Sequence, residues 1–428
     1  MSITERRIIL LGSTGSIGTQ TVDVITHLNA LAARGEWPVR YLVVGLAAGR
    51  NASLLTEQAK LFPEARLAIG CVETASKCAE MHKATDRTLS ARFTNAHRGQ
   101  AAALELIQST PCDMVLGAMV GASGLPATLE AVTRGIDVAL ANKETLVAAG
   151  EIVVRAANAS GARLLPVDSE HSALWQCLVG SVQPVTPAPP FSAPPATVAK
   201  LVLTASGGPF RTWAREAIRQ ATPAQALKHP TWTMGQKVTI DSASLTNKAL
   251  EVIEAHWLYA MPAERIDVLV HPQSIVHSFV EYTDGSVIAQ LGSPDMRCPI
   301  QFALSYPHRA DGACRKLDWR TLTKLDFEAP DLDRFPALGL AYDVIRAGGT
   351  SGAIFNAANE EAVEAFLASA NPGTHNRSLA HAAIGHGGAG IDGSTDGASG
   401  HHGDGNIPFG TITDLSIRAL KEVGISPL

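Results

Sequence analysis

The sequence predicts an α/β protein built from two or three domains. Short apolar runs of strand length alternate with amphipathic helical stretches in the N-terminal half, which is the pattern of βαβ units. The first run, Arg7–Leu11, leads into a glycine-rich turn and then into a helical repeat. A chain of 428 residues is too long for one hydrophobic core, so further domains must follow the first.

Composition and charge exclude several classes of protein. Hydrophobic residues make up 46% of the chain and charged residues 18%, which is typical of a globular protein. The net charge of −5 argues against broad nucleic-acid binding. The six cysteines show no C-x-x-C spacing and predict neither a zinc site nor a disulfide framework. The polar start and the short apolar run after it do not fit a signal peptide or a membrane span, so we expect a cytoplasmic enzyme with reduced thiols.

The turn after the first strand carries Gly12, Gly15 and Gly18 in the spacing G-x-x-G-x-x-G. A strand, a glycine turn and a helix together hold a pyrophosphate at the helix N-terminus, so the turn predicts dinucleotide binding. The usual spacing is G-x-G-x-x-G, and an ordinary βα turn is the alternative.

The second strand, Val39–Leu46, ends in Ala48-Gly49-Arg50-Asn51. An NAD enzyme would carry an acidic residue there, whereas Arg50 suits the 2′-phosphate of NADP. A surface arginine without a ligand is the alternative.

Two further parallel strands are predicted at 113–118 and 137–140, and Lys143 follows the second of them. The carboxyl ends of parallel strands are where such sheets bind ligands. The alternative for Lys143 is a solvated charge at the start of a helix.

The strand Arg163–Val167 runs into Asp168-Ser169-Glu170-His171. If the backbone stays extended, the side chains of Asp168 and Glu170 point the same way, and two close carboxylates need a proton or a cation between them. Mg²⁺ or Mn²⁺ suits such oxygen ligands. The alternative is that Asp168 or Glu170 caps the following helix.

A proline-rich stretch, 183–195, reads as an exposed linker, and a strand at 198–203 then ends in the small residues Ser206-Gly207-Gly208. Such a turn lets the backbone approach a phosphate.

The segment His229–Gly235 is aromatic yet broken by proline and glycine, which predicts a lid over a ligand. Static packing of Trp232 in a core is the alternative.

Val238–Ile240 is predicted as a strand, followed by a helix that reaches Glu251. Asn247, Lys248 and Glu251 are spaced to share one helix face, so an amide, a cation and a carboxylate can line one cavity. An ordinary Lys–Glu surface pair is the alternative.

The stretches 268–277 and 286–291 are predicted as antiparallel strands joined at Asp284-Gly285, and His277 is either a buried histidine or a substrate contact. Residues 306–334 read as a polar connector, and 338–345 and 351–367 as helices.

Seven of these stretches together resemble one family. They are Gly12–Gly18, Ala141–Glu144, Pro166–His171, Ser206–Phe210, His229–Gly235, Asp241–Glu251 and His271–Ser274. In this order, over residues 7–368, they look like the 1-deoxy-D-xylulose 5-phosphate reductoisomerase family. The resemblance implies conversion of 1-deoxy-D-xylulose 5-phosphate to 2-C-methyl-D-erythritol 4-phosphate in non-mevalonate isoprenoid biosynthesis. It implies NADPH and a divalent cation, Mg²⁺ or Mn²⁺ with Co²⁺ as a further candidate, and a homodimer.

The resemblance also implies roles for individual residues. The implied metal ligands are Asp168, Glu170 and Glu251. The implied substrate contacts are Lys143, Ser169, Glu170, Ser206, His229, Ser242, Asn247, Lys248 and Glu251, among which Lys143, Glu170, His229 and Glu251 are catalytic. The implied NADPH contacts are Thr14, Gly15, Ser16, Ile17, Gly49, Arg50, Asn51, Asn142, Glu144 and Gly235.

The implied domains are a Rossmann-like NADPH-binding domain at 1–165, a catalytic α/β domain at 166–305 with its lid at about 206–236, a connector at 306–331 and a C-terminal helical domain at 332–428. The chain departs from the family in the long proline-rich stretch and in a Gly- and His-rich insert at about 369–406. Such an insert has too few apolar residues to bury a core, and its histidines favour a solvated segment over a metal site.

Two other functions compete with this interpretation. A semialdehyde or homoserine-type NADP dehydrogenase shares the first domain but needs a catalytic cysteine at a helix start, or lacks the carboxylates from Asp168 to Glu251. A non-catalytic NADP sensor has no use for three carboxylates and a lid.

Overall fold

The computed structural model describes residues 3–179, 188–369, 407–422 and 424–425. The Gly- and His-rich insert, apart from its first residue Ser369, lies outside the described residues, as does the first part of the proline-rich stretch. None of the helices within the described ranges is long and apolar enough to cross a membrane.

Strands and helices alternate through the N-terminal half, as the sequence predicts. The strands are β1 (Thr4–Leu11), β2 (Val39–Ala48), β3 (Arg66–Ile69), β4 (His97–Arg98), β5 (Met114–Gly117), β6 (Asp137–Leu140), β7 (Leu164–Pro166), β8 (Val198–Ala205), β9 (Ile266–Val270), β10 (Val276–Tyr282) and β11 (Val287–Leu291).

The α-helices of the described residues are α1 (Ser16–Ala33), α2 (Ala52–Leu61), α3 (Val72–His82), α4 (Arg87–Thr94), α5 (Ala102–Ser109), α6 (Leu125–Thr133), α7 (Glu144–Ser160), α8 (Ser169–Leu178), α9 (Arg215–Arg219), α10 (Pro223–Ala226), α11 (Gln236–Ala243), α12 (Thr246–Tyr259), α13 (Arg297–Ser305), α14 (Ala337–Ala347), α15 (Ser351–Ala368) and α16 (Thr411–Glu422).

Seven parallel strands form the N-terminal sheet, in the order β4-β3-β2-β1-β5-β6-β7. The last four residues of β1 are fully buried, as expected for a strand covered by helices on both faces. The strand order reverses between β1 and β5, and in such sheets the crevice at this reversal binds the ligand. The predicted Rossmann-like class is confirmed.

A second sheet of four strands has the order β11-β10-β8-β9. β8 and β9 are parallel, whereas β10 is antiparallel to both β8 and β11. The predicted hairpin is present, and Gly285 in its turn has a φ of +83°, a value that glycine adopts without strain.

Two local predictions were wrong. Residues 238–240 belong to α11, whose buried face includes Thr239, Ile240 and Ala243. β-branched residues lower helix propensity only slightly, so burial of this face decides the outcome. The stretch 268–277 is not one strand, because Pro272 has no N–H and Ser274 has a φ of +51°, and the stretch ends β9 and begins β10.

The chain forms two compact units. The first comprises Met1–Ser206 and Leu250–Ala329, and the second comprises Gly207–Ala249 and Pro330–Leu428. The four-part division predicted from the sequence remains a prediction.

The second unit is helical and has its own aromatic core. Phe409 packs edge-on against Phe210 at 5.1 Å and Phe366 at 5.3 Å between ring centroids. Asp241 ties α11 to α15, because its Oδ1 accepts a 2.9 Å hydrogen bond from Asn359. Its Oδ2 pairs with Lys237 at 2.8 Å, so a carboxylate that is 2% exposed is fully compensated.

Candidate active site

The glycine turn between β1 and α1 leaves no room for side chains. Gly12 has a φ of +81°, and a Cβ on Gly12 would overlap the carbonyl of Ala118. A Cβ on Gly18 would overlap the carbonyl of Gly12. No side chain caps the N-terminus of α1. This end of the helix follows the carboxyl end of β1, beside the position where the strand order reverses, so its first backbone N–H groups can bind a ligand there.

Four of the predicted cofactor residues lie in this turn and at the start of α1. Gly15 and Ser16 are exposed, and Thr14 and Ile17 are half-buried. The backbone here presents N–H donors at the positive end of the helix dipole, which is the geometry that binds a pyrophosphate.

Gly49, Arg50 and Asn51 are exposed just beyond β2. The Asn51 side chain caps α2 by accepting a 3.2 Å hydrogen bond from the N–H of Leu54. The Arg50 guanidinium lies close enough to Glu73 to lower the pKa of that carboxyl, after the larger effect of a hydrogen bond from Cys71. Arg50 thus presents its charge at the end of β2, where the sequence predicts a 2′-phosphate.

Asn142 and Glu144 lie where β6 meets α7. The buried Asn142 amide donates to the carbonyl of Gly121 at 2.9 Å and to Glu144 Oε2 at 3.3 Å. Its Oδ1 accepts the N–H of Thr145 at 3.0 Å. These bonds fasten the loop after β5 to the start of α7, so both residues support the crevice at the carboxyl ends of the strands.

Three carboxylates converge at the end of β7. Asp168, Glu170 and Glu251 each offer an oxygen, and these oxygens lie within 4.8 Å of one another. Asp168 stands just before α8, Glu170 is in its first turn and Glu251 comes from α12. The cluster itself was predicted, but the extended geometry was wrong, because α8 begins at Ser169. The side chain of Asp168 makes no helix-capping bond, so the capping alternative does not describe it.

The ammonium of Lys143 lies among these carboxylates. Its Nζ forms an ion pair with Asp168 and a second with Glu251 Oε1 at 3.1 Å. Lys143 is only 8% exposed, so it is not the solvated charge of the alternative interpretation. Burial opposes its charged form, but the attraction of Asp168 and then of Glu251 is larger and raises the pKa of Lys143 well above its usual value.

The same pairing acts on Asp168. Burial by itself raises the pKa of Asp168, but the charges of Lys143 and His171 and the hydrogen bonds with Glu170 and Lys143 together outweigh burial and hold this pKa below its usual value. At neutral pH the cluster therefore holds the Asp168 carboxylate beside the protonated ammonium of Lys143. Such a donor set suits a hard divalent cation.

A second buried pair lies beside the cluster, and its glutamate was missed by the sequence reasoning. His171 Nε2 is 2.9 Å from Glu254 Oε2, and both side chains are at most 1% exposed. Burial lowers the pKa of His171, whereas the charge of Glu254 raises it. The net effect is a raised pKa of His171. Glu254 lies three residues after Glu251 in α12, and this spacing is the signal that marks it as a neighbour of the site.

The remaining predicted residues of the first unit are Ser169 and Ser206. Ser169 Oγ donates to Glu170 Oε2 at 2.5 Å, and Ser206 follows β8 and is half-buried.

The second unit contains five predicted residues: Ser242 on α11, Asn247 and Lys248 in the first turn of α12, and His229 and Gly235 before α11. Lys248 is 3% exposed and Glu251 is 1% exposed, so the alternative of a surface Lys–Glu pair is wrong. The turn at Gly208 packs tightly on α11, because a Cβ there would lie 2.5 Å from the carbonyl oxygen of Ser242.

The predicted lid has no regular secondary structure between α10 and α11. His229 organises it, because its Nδ1 accepts the N–H groups of Thr231 at 3.1 Å and Trp232 at 2.9 Å. Burial lowers the pKa of His229, so the neutral ring carries its proton on Nε2. Trp232 is half-buried.

Three family models match the chain in succession. The model for 1-deoxy-D-xylulose 5-phosphate reductoisomerase matches residues 8–150, and two models for the C-terminal domain of that enzyme match residues 164–259 and 291–372. The reductoisomerase of Chloroherpeton thalassium is 48% identical over 362 residues, which are 85% of this chain and 86% of the relative. The Burkholderia pseudomallei enzyme is 46% identical over 364 residues, 85% of each chain.

The chain belongs to the 1-deoxy-D-xylulose 5-phosphate reductoisomerase family.

Solved reductoisomerases have the same fold. One, in complex with NADPH, fosmidomycin and magnesium, has a TM-score of 0.75 at 33% identity and covers 97% of each chain. The Zymomonas mobilis reductoisomerase in complex with NADPH has a TM-score of 0.73 at 37% identity over 99% of this chain and 100% of that one. The resemblance stated from the motifs is confirmed, and the dehydrogenase and sensor alternatives are wrong.

Proposed function

We propose that this chain carries out the reductoisomerase reaction at the cluster formed by Asp168, Glu170 and Glu251. The reaction rearranges 1-deoxy-D-xylulose 5-phosphate and reduces the product with NADPH to 2-C-methyl-D-erythritol 4-phosphate. The observation that supports this most directly is the convergence of three carboxylates around the buried ammonium of Lys143.

The donor set fits Mg²⁺ or Mn²⁺. Three carboxylate oxygens within 4.8 Å are hard ligands, and the Lys143 ammonium among them demonstrates that the position attracts positive charge. When bound, such a cation supplies Lewis-acid polarisation of the substrate carbonyl and the neighbouring hydroxyl. Asp168, Glu170 and Glu251 would hold this cation.

We assign Lys143 to the reacting oxygens of the substrate. The raised pKa keeps Lys143 protonated throughout the neutral range, so it donates hydrogen bonds to oxygen atoms that gain negative charge. His229 and the segment around Trp232 exclude water from the intermediate in this proposal.

We assign the NADPH pyrophosphate to the glycine turn and the N-terminus of α1, and the 2′-phosphate to Arg50. The other proposed cofactor contacts are Gly49, Asn51, Asn142, Glu144 and Gly235. We assign the substrate phosphate to Ser206, Ser242, Asn247 and Lys248, whose hydroxyl, amide and ammonium groups donate to phosphate oxygens. Ser169 is a further proposed substrate contact.

We propose that the chain forms a homodimer through β11. This strand is at the edge of the second sheet, and Val287 is 56% exposed and Ile288 is 40% exposed. An edge strand with apolar side chains is a template for a second copy. Ile288→Lys should shift the sedimentation coefficient from dimer to monomer, and an unchanged dimer would exclude this edge as the interface. The cytoplasmic location remains a prediction from the sequence.

The central test is the metal-dependent oxidation of NADPH in the presence of the sugar phosphate. Glu251→Gln should lower kcat by at least about 100-fold, as expected for loss of a group that acts on developing charge. Binding of NADPH, followed by its fluorescence, should survive. Glu151→Gln, which changes an exposed carboxylate on α7, is the matched control and should keep full activity. Full activity of Glu251→Gln with Mg²⁺ would remove Glu251 from the proposed site.

A further inference from the structure

Two cysteines that are far apart in sequence have neighbouring thiols. Cys298 lies in the first turn of α13, and Cys314 lies in the polar connector that follows this helix. Their thiols lie close enough for each to change the pKa of the other, and both residues are half-buried free cysteines. Neither cysteine is among the residues proposed for the active site.

The backbone on both sides of Cys314 is fastened to the start of α13. The N–H of Ala313 donates to Gln301 Oε1 at 2.9 Å. The N–H of Arg315 donates to Asp295 Oδ2 at 3.4 Å, and the carbonyl of Asp295 accepts the N–H of Cys298 at 3.1 Å. The segments that carry the two cysteines are therefore held together by hydrogen bonds that do not involve the thiols.

This neighbourhood is not a metal site. Within the described ranges, the group of three or more metal-ligating side chains is the cluster of Asp168, Glu170 and Glu251. A pair of thiols in contact instead has the arrangement from which a disulfide forms. Asp295 is engaged by Arg297, whose guanidinium pairs with it at 2.7 Å, so its charge is compensated next to the thiols.

One of the two thiols is suited to be the nucleophile. The interaction between the two thiols lowers the pKa of Cys314 and raises the pKa of Cys298. Thiolate is the reactive form of cysteine, so Cys314 is the more reactive of the two thiols.

We propose that Cys298 and Cys314 form a reversible disulfide by exchange with a small-molecule disulfide such as oxidised glutathione. The Cys314 thiolate attacks one sulfur of the small disulfide, which breaks the S–S bond and releases one thiolate. The Cys298 thiol then loses its proton to solvent, attacks the Cys314 sulfur and releases the second thiolate. The two protein thiols are oxidised, and the small disulfide is reduced to two thiols.

The disulfide would fasten the connector to a helix that packs on the nucleotide-binding sheet. The carbonyl of Leu304 in α13 accepts hydrogen bonds from Tyr41 Oη at 2.7 Å and Arg6 at 3.1 Å. His27 Nε2 on α1 lies 2.9 Å from the carbonyl oxygen of Asp311 in the connector. A covalent link between residues 298 and 314 closes this segment into a loop over β1, α1 and β2, and should raise the melting temperature.

The test treats the full-length enzyme with graded ratios of oxidised to reduced glutathione, traps free thiols by alkylation and maps peptides by mass spectrometry. We expect a peptide pair joined through residues 298 and 314, lighter by two hydrogens, which dithiothreitol removes. Cys298→Ser should instead accumulate a glutathione adduct on Cys314, because the resolving thiol is missing. Cys314→Ser should give neither product, and Cys71→Ser, which removes a half-buried cysteine elsewhere, should behave like the unaltered enzyme.

Melting temperatures and alkylation rates complete the test. Under reducing conditions the serine variants should melt within a few degrees of the unaltered enzyme, which verifies that they fold. The oxidised enzyme should melt at a higher temperature than the reduced enzyme, and Cys314 should react with iodoacetamide faster than Cys71. If glutathione modifies Cys71 or Cys112 first and no 298–314 link forms, the proposal is overturned.

Discussion

Lys143→Met should destabilise the protein strongly when divalent cations are absent, and much less when they are present. The substitution keeps the length and apolar stem of the side chain but removes the charge that separates Asp168 from Glu251. Without that charge, three clustered carboxylates, one of them fully buried, face one another, which is unfavourable unless protons or cations bind.

The magnitude follows from the ion-pair geometry. At an effective dielectric constant of about 20, the pair with Glu251 at 3.1 Å is worth about 5 kcal/mol before desolvation is subtracted. Removing one partner of a buried ion pair costs about 3–5 kcal/mol in practice. For a unit of this size each kcal/mol corresponds to about 2 °C, so the melting temperature should fall by about 6–10 °C.

A divalent cation should restore much of this loss, because it takes the place of the missing positive charge. A ligand at 100 times its Kd adds about 2.7 kcal/mol to the free energy of unfolding. The variant should therefore gain more from Mg²⁺ than the unaltered enzyme does, since no ammonium competes with the cation.

The assay is thermal unfolding followed by circular dichroism, first with EDTA and then with Mg²⁺. Lys200→Met is the matched control, because the Lys200–Asp267 ion pair is exposed and such pairs contribute at most about 1 kcal/mol. Equal melting temperatures for the Lys143 variant and the unaltered enzyme in EDTA would refute the role of Lys143. Failure of Mg²⁺ to stabilise the variant would refute cation binding at these carboxylates.

Three further predictions concern the cofactor and the lid. Arg50→Glu should narrow or reverse the preference for NADPH over NADH in kcat/KM, and an unchanged ratio would mean that the 2′-phosphate is recognised elsewhere. Gly18→Ala should abolish NADPH binding in a fluorescence titration, because its Cβ overlaps the glycine turn, whereas Gly339→Ala on α14 places its Cβ in open space and should bind NADPH normally. Fosmidomycin, present with magnesium and NADPH in a solved relative, should change Trp232 fluorescence as the lid closes. Equal binding in EDTA would contradict the carboxylate cluster as its anchor.

Much of the site could be predicted because it depends on local sequence. The glycine turn follows β1 directly. Only glycine fits at position 12, because a Cβ there would overlap the carbonyl of Ala118. Lys143 and Asp168 follow buried parallel strands, and the ends of such strands meet at one edge of the sheet. The candidate metal ligands and the family were therefore accessible from short motifs.

Tertiary structure decided what local pattern leaves open. The β-branched residues 238–240 form a helix because burial of one face outweighs a small propensity difference. Glu254 partners His171, and Cys298 meets Cys314, only because separate segments pack together. The charge state of Lys143 likewise depends on Glu251, which lies 108 positions away in the sequence. Periodicity and propensity describe neighbours along the chain, whereas the electrostatic energy of a buried group depends on its neighbours in space.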